Sequence, residues 1–207
     1  TETRSTSNFN GIEMAVPGEM YYTPGSSYKV EISARQNILE IIEAYVSDNV
    51  LKVKVKNSVN IKSNEPIIVK VTAPDVTALG VNGSGNITVS DPYRPVNTKL
   101  SVNGSGVLIV SDLNTNMLEA RISGSGKINV YNGGASGEDV AISGSGLIDL
   151  AGLPANQANT ITSGSGTIRL QVVSSLDCKI SGSGVVMYKG SPKIKTSISG
   201  SGRVIPI

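Results

Sequence analysis

From residue 76 onward, apolar and polar side chains alternate with period two. The alternation is punctuated at regular intervals by the triplet Gly-Ser-Gly. The triplet stands at 83–85, 104–106, 124–126, 144–146, 164–166, 182–184 and 200–202, so successive copies begin 21, 20, 20, 20, 18 and 18 residues apart. Two and four residues before it come pairs such as Val81/Leu79, Val102/Leu100, Ile122/Ala120, Ile142/Val140 and Ile180/Cys178. Two and four residues after it come Ile87/Val89, Leu108/Val110, Ile128/Val130, Ile148/Leu150 and Ile168/Leu170. Period two is the signature of a strand with one buried face. A unit of two short strands and two turns, repeated every 18–21 residues, predicts the coils of a solenoid. No single coil has enough apolar surface for a core. Stacked at ~4.8 Å, seven coils bury one Ile/Val/Leu column roughly 29 Å long. Carried through the triplet, the same period predicts both glycines inward and the serine outward. In the fifth copy Ile161 stands where a polar residue is expected and Thr162 falls at the inward phase, which predicts a bulge or bend there.

The first part of the chain is less regular. Residues 1–8 are polar and read as a flexible lead-in. Phe9 to Val16, Glu19 to Thr23, Tyr28 to Ser33, Val50 to Val55 and Ile67 to Thr72 read as strands separated by turn residues such as Pro17-Gly18 and Pro24-Gly25. Asn37 to Val46 fits either a strand or one or two helical turns, and its neighbours favour strand. The expected division is therefore a lead-in over 1–8, N-terminal strands over 9–75 that begin the coil or pack on it, and regular repeats over 76–207. The fold class is all-β: a right-handed, single-stranded parallel β-helix (solenoid) with seven Gly-Ser-Gly rungs and irregular N-terminal strands. The handedness follows from the rule for parallel crossovers.

Composition narrows the chemistry. The chain has no His, one Cys, no Trp and one Phe, with a net charge of +2. The missing His removes the commonest general base and metal ligand. The charge is too small for a nucleic-acid footprint. Cys178 alternates with Leu176 and Ile180 and reads as a core residue. Lys52, Lys54 and Lys56 alternate with Leu51, Val53 and Val55 and read as a solvated, edge-protecting row. No segment has the ~18 apolar residues of a membrane span. The chain begins Thr-Glu-Thr-Arg without Met, which reads as a form whose signal peptide has been removed.

Stacking turns the triplet serines Ser84, Ser105, Ser125, Ser145, Ser165, Ser183 and Ser201 into an outward row. A second row runs beside it: Asn82, Asn103, Ser123, Ser143, Ser163, Ser181 and Ser199. These rows are the candidate ligand surface, a regular polar array suited to a glycan. The alternative is that they bond only to one another and to the backbone. Asp91 and Asp112 share a phase and could flank a cation, or simply cap turns. Gly-Ser-Gly is neither a phosphate loop, lacking the following Gly-Lys-Ser/Thr, nor a nucleophile elbow. Lys127, Asp149 and Arg169 lie outward on three successive rungs and are the best acid–base cluster available. Val107, Ile109, Leu147, Val185 and Met187 leave apolar side chains on the same wall, which calls for a cover or a self-association surface.

The combination of Asn8-Phe9-Asn10-Gly11-Ile12, Tyr28-Lys29-Val30-Glu31-Ile32, Asp48-Asn49-Val50-Leu51-Lys52-Val53, Val69-Lys70-Val71-Thr72-Ala73-Pro74 and the repeated Ile-Ser-Gly-Ser-Gly resembles the putative autotransporter adhesin, head GIN domain family, β-helix proteins of Bacteroidetes. The resemblance runs over about residues 8–207. It implies a right-handed β-helix and an exported, envelope-associated protein, periplasmic, outer-membrane-associated or at the cell surface, and it brings no catalytic residues. The expected function is a non-enzymatic binding or adhesion module without cofactor or metal, with a glycan or surface protein as partner. A self-associating scaffold, acting as a homo-oligomer, is the alternative. A carbohydrate-active enzyme on the β-helix wall is the third reading.

Overall fold

In the computed structural model, which describes residues 1–56 and 66–207, every strand joins one hydrogen-bonded sheet wound into a parallel β-solenoid. In chain order the elements are β1 (Glu2–Arg4), β2 (Gly11–Ala15), β3 (Glu19–Pro24), β4 (Lys29–Ser33), α1 (Gln36–Leu39), β5 (Ile42–Ser47), β6 (Val50–Val55) and β7 (Ile68–Ala73). The repeats follow as β8 (Ala78–Gly83), β9 (Asn86–Val89), β10 (Asn97–Gly104), β11 (Val107–Gly124), β12 (Lys127–Gly144), β13 (Leu147–Gly164), β14 (Thr167–Gly182), β15 (Val185–Lys189), β16 (Lys193–Gly200) and β17 (Arg203–Pro206). Residues 57–65, within the N-terminal segment expected over 9–75, lie outside the described residues.

The coil has two walls. The strand before each triplet forms the first wall and the strand after it the second. β11 to β14 each start on the second wall, round the far corner and end on the first. Register is strict: Leu100 stacks on Ala120, then Val140, Thr160, Cys178 and Thr196. A neighbouring column runs Val102, Ile122, Ile142, Thr162, Ile180 and Ile198. Down to Ile180 these columns are buried, as are Ile87, Leu108, Ile128, Ile148, Ile168 and Val186 from the second wall. Each fully buried aliphatic side chain contributes about 1.5–3 kcal/mol. That continuous column, not any one rung, holds the fold together.

The N-terminal strands build both a rung and a cap, and the rungs are out of sequence order. β2 and β3 form a rung around Pro17-Gly18, directly beneath β8 and β9. On their other side lie β6 and β7, which come later in the chain. β4 pairs antiparallel with β7 and β5 antiparallel with β6, and this reversal ends the parallel stack. The Lys52/Lys54/Lys56 row is therefore not a bare edge: Lys54 pairs with Glu43 on β5 at 3.6 Å, and Lys56 Nζ donates to the Glu40 carbonyl at 2.7 Å.

Four sequence expectations change. The polar lead-in carries β1, which pairs antiparallel with β4 and is tied down by Arg4 Nη2 donating to the Leu39 carbonyl at 2.9 Å. Asn37 to Val46 is split between one helical turn, α1, and a strand, β5. The fifth repeat has no bulge at Ile161. Thr162 takes the inward slot and is buried, while Ile161 faces solvent at 46% exposure. The irregularity lies instead between Leu150 and Gln157, where β13 meets a rung two residues shorter. Finally, only the second glycine of each triplet faces inward. The first sits at the bend with φ between +106° and +124°, because reversing the chain within three residues takes a left-handed backbone and breaks the strand period.

Thr162 leads to a stability prediction. Its Oγ1 is buried without a hydrogen-bond partner, in a column that elsewhere holds Val and Ile. Thr162→Val should stabilise the protein by about 1–2 kcal/mol, read from chemical denaturation. A neutral or negative result would mean that the hydroxyl is satisfied.

Candidate functional site

The bend after the first wall displays the row expected from the triplet. Ser84, Ser105, Ser125, Ser145, Ser165, Ser183 and Ser201 are all exposed. Their position is set by the backbone: the N–H of each serine from Ser105 onward donates to the carbonyl of the first triplet glycine one rung earlier, at 2.9–3.0 Å. The glycine pair lets the chain turn tightly enough for successive bends to lie directly over one another. Among the described residues none of the seven hydroxyls has a hydrogen-bond partner in the protein.

The second row is in register beside it, with Asn103 opposite Asn82 and Ser123, and then Ser143, Ser163, Ser181 and Ser199. Its early end is partly committed to structure. Asn103 Nδ2 donates to Asn82 Oδ1 at 2.9 Å, and Asn82 Nδ2 donates in turn to the Glu13 carboxylate. From Ser123 onward the row is exposed. Further along the first wall an ion-pair chain of four side chains crosses three strands: Lys99 to Glu119 at 3.2 Å, Arg121 to Glu119 at 2.6 Å and Arg121 to Asp139 at 3.4 Å. The Arg121 hydrogen bond, with help from Lys99, holds the Glu119 carboxyl below the usual carboxylate range.

The acid–base candidates do not assemble a catalytic centre. Asp149 and Arg169 are register partners on adjacent rungs of the second wall and form a surface ion pair at 3.4 Å. Lys127 stacks on Leu147, not on Asp149. The pair lies on a half-exposed wall, where such contacts contribute little. Asp112, one of the two aspartates that share a phase, is engaged within the protein. It is taken by Arg94, whose guanidinium also donates to the carbonyls of Tyr93 and Asp112, both at 3.1 Å. Among the described residues no group of three His, Cys, Asp or Glu converges as a metal site would require. Val107, Ile109, Leu147, Val185 and Met187 are half-buried on the second wall. Cys178 is buried in the core, and burial pushes its thiol up. No helix is long and apolar enough to cross a membrane among the described residues.

One functional-looking group escaped the sequence reading. Glu138 is 1% exposed, and neither carboxylate oxygen has a partner. Burial raises its carboxyl well above the usual range. The signal was its phase: it stacks on Leu118 and beneath Ala158, in an inward column. Its rung replaces the corner Leu113 and Leu153 of the neighbouring rungs with Gly133, so the glutamate occupies room that an aliphatic side chain fills elsewhere.

The family model described as putative auto-transporter adhesin, head GIN domain, matches residues 8–192. The chain belongs to that family. Its fold recurs in the crystal structure of a putative adhesin from Bacteroides fragilis at 25% identity, with a TM-score of 0.93, covering 100% of this chain and 95% of that one. A putative lipid binding protein from Parabacteroides distasonis superposes with a TM-score of 0.79 at 23% identity, covering 100% of this chain and 96% of that one. A putative adhesin from Parabacteroides merdae does so at 0.78 and 23%, covering 100% and 95%. Among curated proteins no relative matches the chain.

Proposed function

We propose that this chain is a non-enzymatic binding module of the bacterial envelope or cell surface, exported, and that it holds a glycan or surface protein along the triplet-serine bend. The observation that carries this reading is the row of seven exposed serines whose hydroxyls have no partner within the described protein, flanked from Ser123 onward by a second exposed row in register. A chain of regularly spaced hydroxyl acceptors and donors at ~4.8 Å matches a repetitive polar ligand better than a compact one. Membership of an adhesin family supports a surface role. The dispersed acids and bases of the second wall favour binding over catalysis.

A glycan array combined with a whole-cell adhesion assay tests the proposal. Binding is expected, and Ser125→Arg with Ser145→Arg should lower it at least about tenfold while leaving the melting temperature unchanged, because truncating or blocking a central contact dominates binding. An absence of signal on both assays would sink the reading. So would binding that survives the double substitution. The scaffold reading, by contrast, draws on the half-buried apolar residues of the second wall, which present no continuous exposed patch.

A further inference from the structure

The two ends of the coil are finished differently. At the β6/β7 end the antiparallel strands β4 and β5 close the stack. At the other end, among the described residues, no strand pairs with the outer side of β16 or β17. The inward columns that are buried throughout the coil emerge there into solvent. Ile194 is 41% exposed and Ile198 42%, whereas Leu176 and Ile180, one rung below, are 1% and 2%. All eight residues of β16 are exposed. The strand pairs with β14 on one side, and its other backbone edge has no strand partner among the described residues. In a parallel ladder both polar groups of a residue point to the same neighbouring strand and alternate along the chain. The outward residues bond to the rung before, as Lys99 N does to the Thr77 carbonyl. The inward residues Ile194, Thr196 and Ile198 therefore direct their N–H and C=O groups to the open side.

We infer that this edge is closed by the same edge of a second copy, with β16 pairing antiparallel to its twin about a two-fold axis through Thr196. The register argument is specific. An antiparallel pairing that keeps core side chains on the core side and points backbone groups at each other must place inward residues opposite inward residues. Centred on Thr196, it sets Ile194 against the partner's Ile198 and Thr196 against the partner's Thr196. Between them, outward, Lys195 faces the partner's Ser197 and Lys193 the partner's Ser199. Each lysine thus meets a small hydroxyl instead of another lysine, and Lys195 is already paired to Asp177 at 3.7 Å. The size is adequate for a modest dimer: a strand of about eight residues at ~3.3 Å, across two walls ~10 Å apart with their side chains, covers roughly 500 Å² per copy, near the lower bound of specific interfaces. No acidic residue follows Asp177, while Lys189, Lys193, Lys195 and Arg203 all lie near this end. Like charge at the rim opposes the pairing at low salt, so association should strengthen as salt screens it. The site is distinct from the serine bend, and its failure would leave the binding proposal untouched.

Sedimentation of the 207-residue chain over a range from about 5 to 500 µM gives the first readout, because mass action makes a weak dimer concentration-dependent. A species of twice the monomer mass is expected, favoured at high salt and weakened at least about tenfold by Ile198→Lys. Ile198 is exposed in the monomer, so a matching thermal melt will show that the variant folds. Position comes from cross-linking. In a hydrogen-bonded antiparallel pair the Cα atoms lie ~5.5 Å apart, inside the ~4.4–6.8 Å range of a disulfide. With Cys178→Val removing the thiol beneath it, Thr196→Cys should oxidise to a covalent dimer and Ser199→Cys should not. A monomer at every concentration overturns the inference. A dimer indifferent to Ile198→Lys, or one cross-linked through Ser199→Cys but not Thr196→Cys, overturns it as well, as does an end that takes up an acidic peptide while remaining monomeric.

Discussion

Gly144→Ala is expected to cost roughly 3 kcal/mol or more of stability, a large effect for one added methyl group. Gly144 is the first glycine of its triplet, with φ at +124°. That backbone conformation alone costs an L-residue about 1–3 kcal/mol. The added Cβ would also lie 2.3 Å from the Gly124 carbonyl oxygen and 3.1–3.2 Å from its carbon and Cα. The obstacle is backbone, and it is pinned. The same Gly124 oxygen accepts the Ser145 N–H at 2.9 Å, and the rungs above and below hold both strands in register. Gly83 separates the two causes. It has φ at +106°, but a Cβ there meets nothing within 4 Å. Gly83→Ala should therefore show the conformational cost alone. Denaturant unfolding of both variants reads the difference directly, and equal losses would show that the close approach between rungs contributes nothing.

Glu138→Leu should act in the opposite direction and raise stability at neutral pH. Burial without any hydrogen-bond partner pushes the Glu138 carboxyl upward and favours its protonated form in the fold. The unfolded chain releases that proton near the ordinary value of about 4.5. A folded pKa above the unfolded one means that the folded state binds the extra proton. The stability tied to that proton is then fully present below the unfolded pKa and is lost as pH rises towards the folded one. In that window the loss is about 1.4 kcal/mol per pH unit. Glu138→Leu abolishes this slope and fills the corner with the same kind of side chain that Leu118 supplies one rung below. Unfolding free energies at about pH 5 and pH 7.5 should differ for the native chain and converge for the variant. If the two chains lose stability in parallel, Glu138 is not the protonated group.

Much of the architecture was readable because a period of two, broken by one recurring triplet, leaves few alternatives. The inward columns through Ile122, Ile142 and Ile180 stack as the alternation predicts. The outward serines are exposed as well, though the bend that holds them departs from the period. What was illegible depended on knowledge that period cannot carry. Counting by twos through the triplet put its first glycine inward, since the count assumes extended backbone and the bend is not extended. Thr162 and Ile161 looked like a register slip because the residue types were exchanged while the register held. Glu138 carries no motif that singles it out, although its phase already placed it inside. The order of the first rungs could not be read at all. Whether β2 stacks on β6 or on β8 depends on which strand arrives at which side, and local sequence is silent on that; in the structure it stacks on both. For the candidate serine surface, the sequence specified which side chains line up but not whether their hydroxyls were already spent.

That inverted order has a consequence for how the chain reaches its structure. β2 is held between partners about 40 and 67 positions further along, Gly11 facing Val50 on one side and Ala78 on the other. The N-terminal rung therefore cannot be completed as it emerges from the ribosome. It must wait for β6 and β8, and long loop closures of this kind are slow. The repeats after β9 are the reverse case, each adding to the one just made. Amide exchange should accordingly divide the protein into a cooperative block around β2, β6 and β8 that opens only with global unfolding, and a far end that unravels one turn at a time, starting from β17.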